Sequence, residues 1–157
     1  MSSSLYSVQG QEYQYKGAFI YQFARIFEWS ALQGNVFTIA VYGDSDITPI
    51  LNQIAKSKKL GNRSIVVKKA NDPGDLANCQ IVFVPTGNVG SVSKIQSAVK
   101  GKNVLVVTEA INTEKSGSGI NFIEVDEKIL FEINRNNITS SGLQLPLSLQ
   151  RLAHKVY

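Results

Sequence analysis

Residues 120–134 read INFIEVDEKILFEIN, and this stretch decides how the chain folds. Apolar and acidic residues nearly alternate from Ile120 to Asp126, and an apolar run follows from Ile129 to Ile133. Two such runs joined by a short polar segment predict a β-hairpin that turns at Asp126-Glu127-Lys128. The turn contains no Asn-Gly pair, so the sequence leaves its type open. Because an isolated hairpin is marginally stable in water, the rest of the chain must supply a surface for it to pack on.

The remaining segments supply that surface, because strand patterns alternate with helix patterns. Apolar runs rich in β-branched residues predict buried strands, and amphipathic segments between them predict helices. Strand–helix–strand units imply parallel pairing with right-handed crossovers. We therefore predict an α/β fold: a three-layer sandwich with a mixed, mostly parallel sheet of about six strands and helices on both faces. The predicted strands are 36–42, 64–69, 81–84, 103–107 and the two hairpin strands; the predicted helices are about 12–29, 47–59, 91–100 and 147–156, with a short one from 136.

Length and composition fit one globular domain. The chain has 157 residues, of which 43% are hydrophobic and 18% are charged, a balance typical of folded proteins. Residues 1–11 are rich in serine and show no period, so we expect a disordered tail, or the remnant of a trimmed leader, before a single domain over residues 12–157. No stretch reaches the ~18 apolar residues of a membrane span. No signal peptide is recognisable at Met1, which a removed leader would explain.

The net charge of +4 comes from scattered lysines. Lys56, Lys58 and Lys59 form the only small basic cluster, and no aromatic residues interleave with it. Nucleic-acid binding requires a concentrated basic face. We therefore expect no nucleic-acid partner, and we interpret the cluster as the solvated end of a helix.

The predicted helix over residues 12–29 is apolar on two sides. Tyr15, Phe19 and Phe23 belong to one broad face, and Ile20, Ala24 and Phe27 fall on the other side. Such a helix is either sandwiched in the core or presented to another chain. Both alternatives stay open, and Ile20, Ala24 and Phe27 are the candidate contacts with a partner or a second copy.

Cys79 and His154 are the only cysteine and the only histidine. One cysteine excludes an internal disulfide and a thiolate zinc site. Cys79 precedes an apolar run and is predicted to be a small buried residue rather than a reactive thiol. His154 is predicted to lie on the surface of the last helix. Because no nucleophile–base pair or metal set stands out, we predict neither catalysis nor a cofactor.

A ligand site is expected where the parallel strands end. In open parallel sheets, ligands bind outside the carboxyl ends of the strands. The polar residues that follow the predicted strands are therefore candidate ligand contacts, unless they form ordinary turns and helix caps. The loop over residues 85–91 also offers backbone N–H groups to an anion at a helix N-terminus. The candidate ligand-binding residues are Asp44, Thr86, Asn88, Ser91 and Glu109.

Several segments together resemble the YfiR-like family. The first helix carries small and aromatic residues before Glu28-Trp29, the first strand ends in Gly43-Asp44, and Cys79 precedes an apolar strand. The hairpin region is the most specific of the matching pieces. The resemblance covers roughly residues 12–157, and the quoted segments are YKGAFIYQFARIFEWS, NCQIVFV, GSGINFIEVDEKILFEINRNN and SGLQLPLSLQRLAHKV.

The resemblance implies a periplasmic, non-catalytic regulatory protein that is often a homodimer. Such a protein binds and represses the periplasmic domain of a membrane signalling protein of the diguanylate cyclase type, and so tunes cyclic di-GMP signalling. The single Cys79 departs from the internal disulfides that the resemblance would imply, which leaves redox control unsupported.

Two alternatives belong to other functional classes. One is a sensor domain that binds a small molecule, of the nucleotide or amino-acid type, without a cyclase partner. The other is an enzyme of flavodoxin-like architecture. A fold alone does not decide between these functions.

Overall fold

The computed structural model describes residues 2–109, 111–112 and 117–157, and it describes the side chains from residue 11 onward. Strands and helices alternate through the first two thirds of the chain, as the sequence pattern predicts. The helices are α1 (Ser2–Ile26), α2 (Ile47–Ser57), α3 (Val92–Val99), α4 (Arg135–Ser140) and α5 (Leu147–Leu152), with 3-10 helices at Pro73–Leu76 and Thr86–Ser91. The strands are β1 (Val36–Tyr42), β2 (Lys59–Leu60), β3 (Arg63–Ala70), β4 (Ile81–Val84), β5 (Leu105–Glu109), β6 (Ile120–Val125), β7 (Lys128–Ile133) and β8 (Lys155–Val156).

The eight strands form one open sheet in the order β2-β3-β1-β4-β5-β6-β7-β8. The pairs from β3 to β6 are parallel, and so is the pair of β7 with β8. The pairs β2–β3 and β6–β7 are antiparallel. This confirms the predicted mixed, mostly parallel sheet. The two strands beyond the predicted six are β2 and β8, which are two residues long and therefore too short to show a pattern in the sequence.

Side chains alternate between the two faces of the sheet, so the protein has two hydrophobic cores. On one face, Phe37 and Ile39 of β1 pack in a core with α1, α2 and the hairpin. On the other face, Ala40 and Tyr42 of the same strand pack in a core with α3. The three-layer arrangement follows from this alternation.

Helix α1 buries one stripe of side chains against the sheet. Ile20, Ala24 and Phe27 are all less than 5% exposed and belong to the first core. Within this chain the three candidate contacts are therefore covered by the core and not open to a partner or a second copy, as the alternative of a core helix describes. At helical spacing, the buried stripe combines these three residues with Phe23, which the sequence analysis assigned to the other face. Tyr15, also assigned to that other face, is 54% exposed.

Helix α1 begins at Ser2. The backbone of residues 2–11 is therefore helical, where the sequence suggests a disordered tail. No proline lies in this segment, and a helix adds residues at its end more easily than it nucleates. The single domain over residues 12–157 stays a prediction.

The hairpin β6–β7 is confirmed, and its turn is two residues long. Val125 pairs with Lys128, and Asp126 and Glu127 have φ angles of 51° and 65°. Positive φ at both turn residues is the type I′ geometry, whose twist matches that of the strands. Phe122 and Phe131 face each other across the hairpin and pack against the ring of Phe23.

The C-terminal segment differs from the predicted last helix. Helix α5 ends at Leu152, and β8 adds an edge strand beside β7. His154 lies between them, exposed, and its backbone N–H donates to the Phe131 carbonyl. Leu149 is buried, whereas Leu152, the last residue of the helix, is 57% exposed.

Candidate functional site

A cavity of about 560 Å³ lies at the carboxyl ends of β1, β4 and β5. Two of these strands, β1 and β5, flank β4 in the sheet, and α1 closes one side through Tyr13. This is the edge of the sheet at which the sequence predicts a ligand site. The lining residues include Tyr13, Asp44, Lys69, Thr86, Gly87 and Glu109.

Three of the five predicted ligand contacts line this cavity: Asp44, Thr86 and Glu109. Asn88 instead supports the loop, because its Nδ2 donates to the Tyr42 carbonyl at 2.8 Å. It lies over Gly43, where a Cβ would come within 2.3 Å of that nitrogen. Ser91 occupies the N-cap position of α3, but its side chain makes no capping hydrogen bond. The structure therefore does not bring Asn88 and Ser91 to the cavity wall.

Glu109 is the buried centre of the site. It is 3% exposed and ends β5. Its Oε1 accepts a hydrogen bond from Lys16 Nζ at 2.5 Å, and its Oε2 accepts one from the Thr86 backbone N–H at 3.1 Å. The Tyr13 hydroxyl lies 3.3 Å from Oε2. This carboxylate thus joins α1, β5 and the loop after β4.

The backbone N–H of Thr86 is therefore already satisfied from within the chain. The sequence predicts that the loop over residues 85–91 offers N–H groups to an external anion. In the structure the Glu109 carboxylate takes that position at the first of these N–H groups. A carboxylate favours such a donor for the same electrostatic reason as an external anion does.

Lys16 is the contact of Glu109 that sequence reasoning missed. Only 5% of the residue is exposed, and its Nζ also contacts Glu12 Oε2 at 2.6 Å. Buried lysines are rare unless they are paired, and here two carboxylates share the ammonium group. The available signal was the Glu12–Lys16 spacing of four residues in a helix that is otherwise apolar on both sides.

Tyr13 responds to the same environment. Its burial, and then the negative charge of Glu109, raise the pKa of the Tyr13 hydroxyl to about 12. The hydroxyl donates to the carboxylate, and its protonated form persists above the ordinary pKa of 10.0. The ammonium group of Lys16 lies 4.9 Å from the centre of the Tyr13 ring, a cation–π distance.

Asp44 belongs to the outer rim of the cavity. Its Oδ1 pairs with Lys69 Nζ at 2.6 Å, and its side chain is 93% exposed. Asp44 and Glu109 are both candidate ligand contacts, and each carboxylate has its own lysine partner. The cavity thus presents carboxylates, one exposed ammonium group and the Thr86 hydroxyl, which suits a small polar molecule.

A second cavity of about 390 Å³ lies at the opposite, amino-terminal ends of the strands. Trp29, Thr38 and Cys79 are among its lining residues. Cys79 is 2% exposed, and burial raises the pKa of its thiol to about 12. The prediction of a buried, small hydrophobic residue is confirmed. In the described parts of the chain, no three His, Cys, Asp or Glu side chains come together as a metal site would require.

No helix in the described ranges is both long enough and apolar enough to cross a bilayer. A model of the YfiR/HmsC-like family, DUF4154, matches residues 13–154 of the chain. No curated protein matches the sequence.

Among solved structures, the chain is similar to one described as an ABC domain in complex with L-Trp from Streptococcus pneumonia. The TM-score is 0.53 and the identity 12%, over 77% of this chain and 55% of the other. The chain therefore spans about half the length of that structure, and the likeness concerns the fold alone.

Proposed function

We propose, because the chain belongs to the YfiR/HmsC-like family, that it is a non-catalytic periplasmic protein that binds and represses a membrane signalling protein of the diguanylate cyclase type. The family match over residues 13–154 is the observation that carries this proposal. Membership supports a role in regulating cyclic di-GMP signalling in general, and the matched family is a regulatory one. The specific partner, the repression and the export of this chain are the proposed steps.

The candidate site is compatible with a regulatory role. Glu109 and Lys16 are engaged with each other and with neighbouring groups inside the fold. A general base or a nucleophile must instead reach a substrate atom. The buried charges of Lys16 and Glu109 hold α1 on the sheet. This structural use of the two side chains supports a binding protein rather than an enzyme.

The proposal is tested by controlling where the chain is placed in a bacterial cell. The chain is expressed once with an export signal and once without it, and intracellular cyclic di-GMP is measured in both strains. We expect cyclic di-GMP to fall only when the chain is exported, because the proposed partner domain lies outside the inner membrane. An equal effect of both forms, or none from either, would contradict the proposal.

Physical association is tested with the exported chain as bait in detergent-solubilised envelopes. Mass spectrometry should recover a membrane protein with a cyclase domain. A bait that carries Phe23→Asp is the matched control, because a charge in the first core disrupts the fold. If the Phe23→Asp bait recovered as much of the membrane protein as the wild-type bait, the association would not depend on the folded protein.

The second candidate function is that of a small-molecule sensor, and the cavity of about 560 Å³ favours it. A ligand that binds only the folded state raises the unfolding temperature. Thermal shifts are measured with nucleotides, amino acids and organic acids. A stabilising ligand should lose its effect in Asp44→Asn and keep it in Asp126→Asn, a matched change in the exposed hairpin turn. If no ligand of these classes stabilises the protein, the sensor hypothesis fails for them.

A further inference from the structure

The fold separates the charges of the chain between the two ends of the sheet. At the carboxyl ends of the strands lie the cavity of about 560 Å³ and a recess of about 160 Å³ beside the hairpin turn. One basic residue, Lys69, lines them. Their acidic lining residues are Glu12, Asp44, Asp46, Glu109, Glu124 and Glu127. Since the whole chain has a net charge of +4, the excess of positive charge lies elsewhere on the surface.

The amino ends of the strands carry basic side chains instead. A cavity of about 330 Å³ lies there, between the end of α1 and the first residues of β1 and β3. It neighbours the cavity of about 390 Å³ that contains Cys79, and Trp29 lines both. The basic lining residues of the two cavities are Arg25, Arg63 and Lys102. Among the described residues, neither cavity has an aspartate or a glutamate in its lining.

Four cations surround Tyr21 and the cavity of about 330 Å³. Lys58 Nζ lies 5.5 Å and Arg25 Cζ 5.9 Å from the centre of the Tyr21 ring. The Tyr21 hydroxyl donates to the Lys59 carbonyl, and the Arg63 guanidinium donates to two backbone carbonyls. Within the described ranges, none of the four cations forms an ion pair with a carboxylate. These four residues are called the basic patch.

Folding builds this patch from separate parts of the chain. Lys58 and Lys59 lie where α2 meets β2, whereas Arg25 comes from α1 and Arg63 from β3. The sequence shows only the lysines together and therefore predicts a solvated helix end. Glu28 follows α1 and is exposed, but it does not line the cavity. The positive charge of the patch is thus left for an external anion.

Apolar side chains are exposed beside the basic patch. Val36, the first residue of β1, is 45% exposed, and Leu32 and Leu60 are half-buried. A nucleic-acid duplex exposes phosphates but stacks its bases inside, whereas a bilayer exposes phosphates directly above apolar chains. Cations next to exposed apolar side chains therefore fit the surface of a bilayer better than they fit a duplex.

We propose that the basic patch binds the surface of a bilayer that contains anionic phospholipids. Each lysine or arginine near such a surface is attracted by its negative potential, and guanidinium groups match phosphate oxygens in geometry. The acidic end of the sheet then faces away from the bilayer, which leaves the cavity beside Glu109 open to water. This binding does not depend on which protein the chain regulates.

Co-sedimentation of the whole chain with vesicles tests the proposal. Vesicles of equal parts phosphatidylglycerol and phosphatidylcholine should bind the chain, and vesicles of phosphatidylcholine alone should not. Salt of about 1 M should release the chain, because the Debye length falls to about 3 Å. Arg25→Gln/Lys58→Gln should weaken the binding about tenfold or more, since two attracted cations are lost.

The matched control is Lys94→Gln/Lys128→Gln. It removes the same net charge from exposed positions in α3 and the hairpin, so it should keep most of the binding. Thermal unfolding is measured for both double variants, to show that each one is folded. Equal losses in the two folded variants would overturn the proposal, because net charge rather than the patch would then cause the binding.

Trp29 provides a test of orientation that is independent of charge. It is the only tryptophan, and it lines both cavities at the amino ends of the strands. Phosphatidylglycerol brominated in its acyl chains should therefore quench the tryptophan emission of the bound chain. Bound chain that is not quenched, or equal binding to neutral vesicles, would overturn the proposal. Binding to a DNA duplex without binding to anionic vesicles would also overturn it and assign the patch to nucleic acid.

Discussion

Lys16 Nζ and Glu109 Oε1 lie 2.5 Å apart, and only 6% and 5% of the two side chains are exposed. This pair joins the first helix to the end of a central strand, across 93 residues of sequence. Removing one partner of a buried pair leaves the other charge without compensation in a region of low dielectric constant. The pair is therefore expected to control how α1 docks on the sheet.

Lys16→Met should lower the free energy of unfolding by about 3–5 kcal/mol, because it leaves the Glu109 carboxylate buried without its cation. Urea unfolding followed by circular dichroism measures this loss. The double variant Lys16→Met/Glu109→Gln should recover most of the stability, since both charges are then gone. A double variant no more stable than the single one would show that the charge pairing is not the cause.

Glu12→Gln is the control for the Lys16 series. Glu12 binds the same ammonium group, but its side chain is 33% exposed. An ion pair with a solvated partner contributes less than about 1 kcal/mol. A loss as large as that of Lys16→Met would mean that Glu12, rather than Glu109, is the main counter-ion.

Tyr13 should make stability depend on pH in the alkaline range. Its pKa is raised from 10.0 to about 12 in the folded state, so the folded protein holds the proton more tightly than the unfolded chain. The stabilisation from this group is fully present below pH 10 and is lost as the pH rises through about 12. The difference in stability between wild type and Tyr13→Phe should therefore shrink over that window. A constant difference would contradict the raised pKa.

Glycine substitutions in the hairpin should change the free energy of unfolding in opposite directions at Glu127 and Lys128. Glu127 has a φ of 65°, a conformation that costs a non-glycine residue about 1–2 kcal/mol. Glu127→Gly should raise the free energy of unfolding by up to about 1 kcal/mol, after the greater freedom of glycine in the unfolded chain is subtracted. Lys128→Gly, one residue later in β7, should lower it by about 0.5–1 kcal/mol. If both glycine variants changed the free energy of unfolding in the same direction, the type I′ assignment would be contradicted.

Cys79 should be unreactive in the folded protein. The thiolate is the reactive form, and the pKa of about 12 leaves little thiolate at neutral pH. Its Sγ also donates to the Leu76 carbonyl. Modification by a disulfide reagent should follow the rate of unfolding and become fast in urea. Fast, complete modification in buffer would show that the cavity beside Cys79 admits the reagent.

The sequence was sufficient for the sheet and the hairpin, because their patterns are local. Val36 to Tyr42 is apolar at nearly every position, as a strand covered on both faces must be. The type of the turn was not predictable, because Asp126 suits the first turn position but Glu127 stands where a type I′ turn prefers glycine. Their left-handed conformation follows from the pairing of the flanking strands.

The burial of α1 shows where periodicity stops being informative. A helix with apolar residues on both sides allows two orientations, and only packing against α2 and β7 decides between them. Ile20 and Phe27 therefore fell in the core although the sequence left them as candidate contacts. Lys16 was missed for a related reason. Its partner Glu109 is 93 residues away in the sequence, so no local pattern predicts the pairing.

The candidate site was predictable as a location but not as a set of contacts. The rule that ligands bind at the carboxyl ends of parallel strands places Asp44, Thr86 and Glu109 together. It does not distinguish residues that face the cavity from those that support the loop. Asn88 is of the second kind, because it holds the backbone of Tyr42.

Trp29 gives the protein a built-in optical reporter. It is the only tryptophan, and its indole N–H donates to Ala24 while its ring meets Phe37 edge-on. The residue lies at the amino ends of the strands, and β1 separates it from the candidate site by about 20 Å. Tryptophan emission therefore reports whether α1 is docked on the sheet. A molecule bound beside Glu109 would not quench it by contact, so a change in emission on binding would signal movement of the helix.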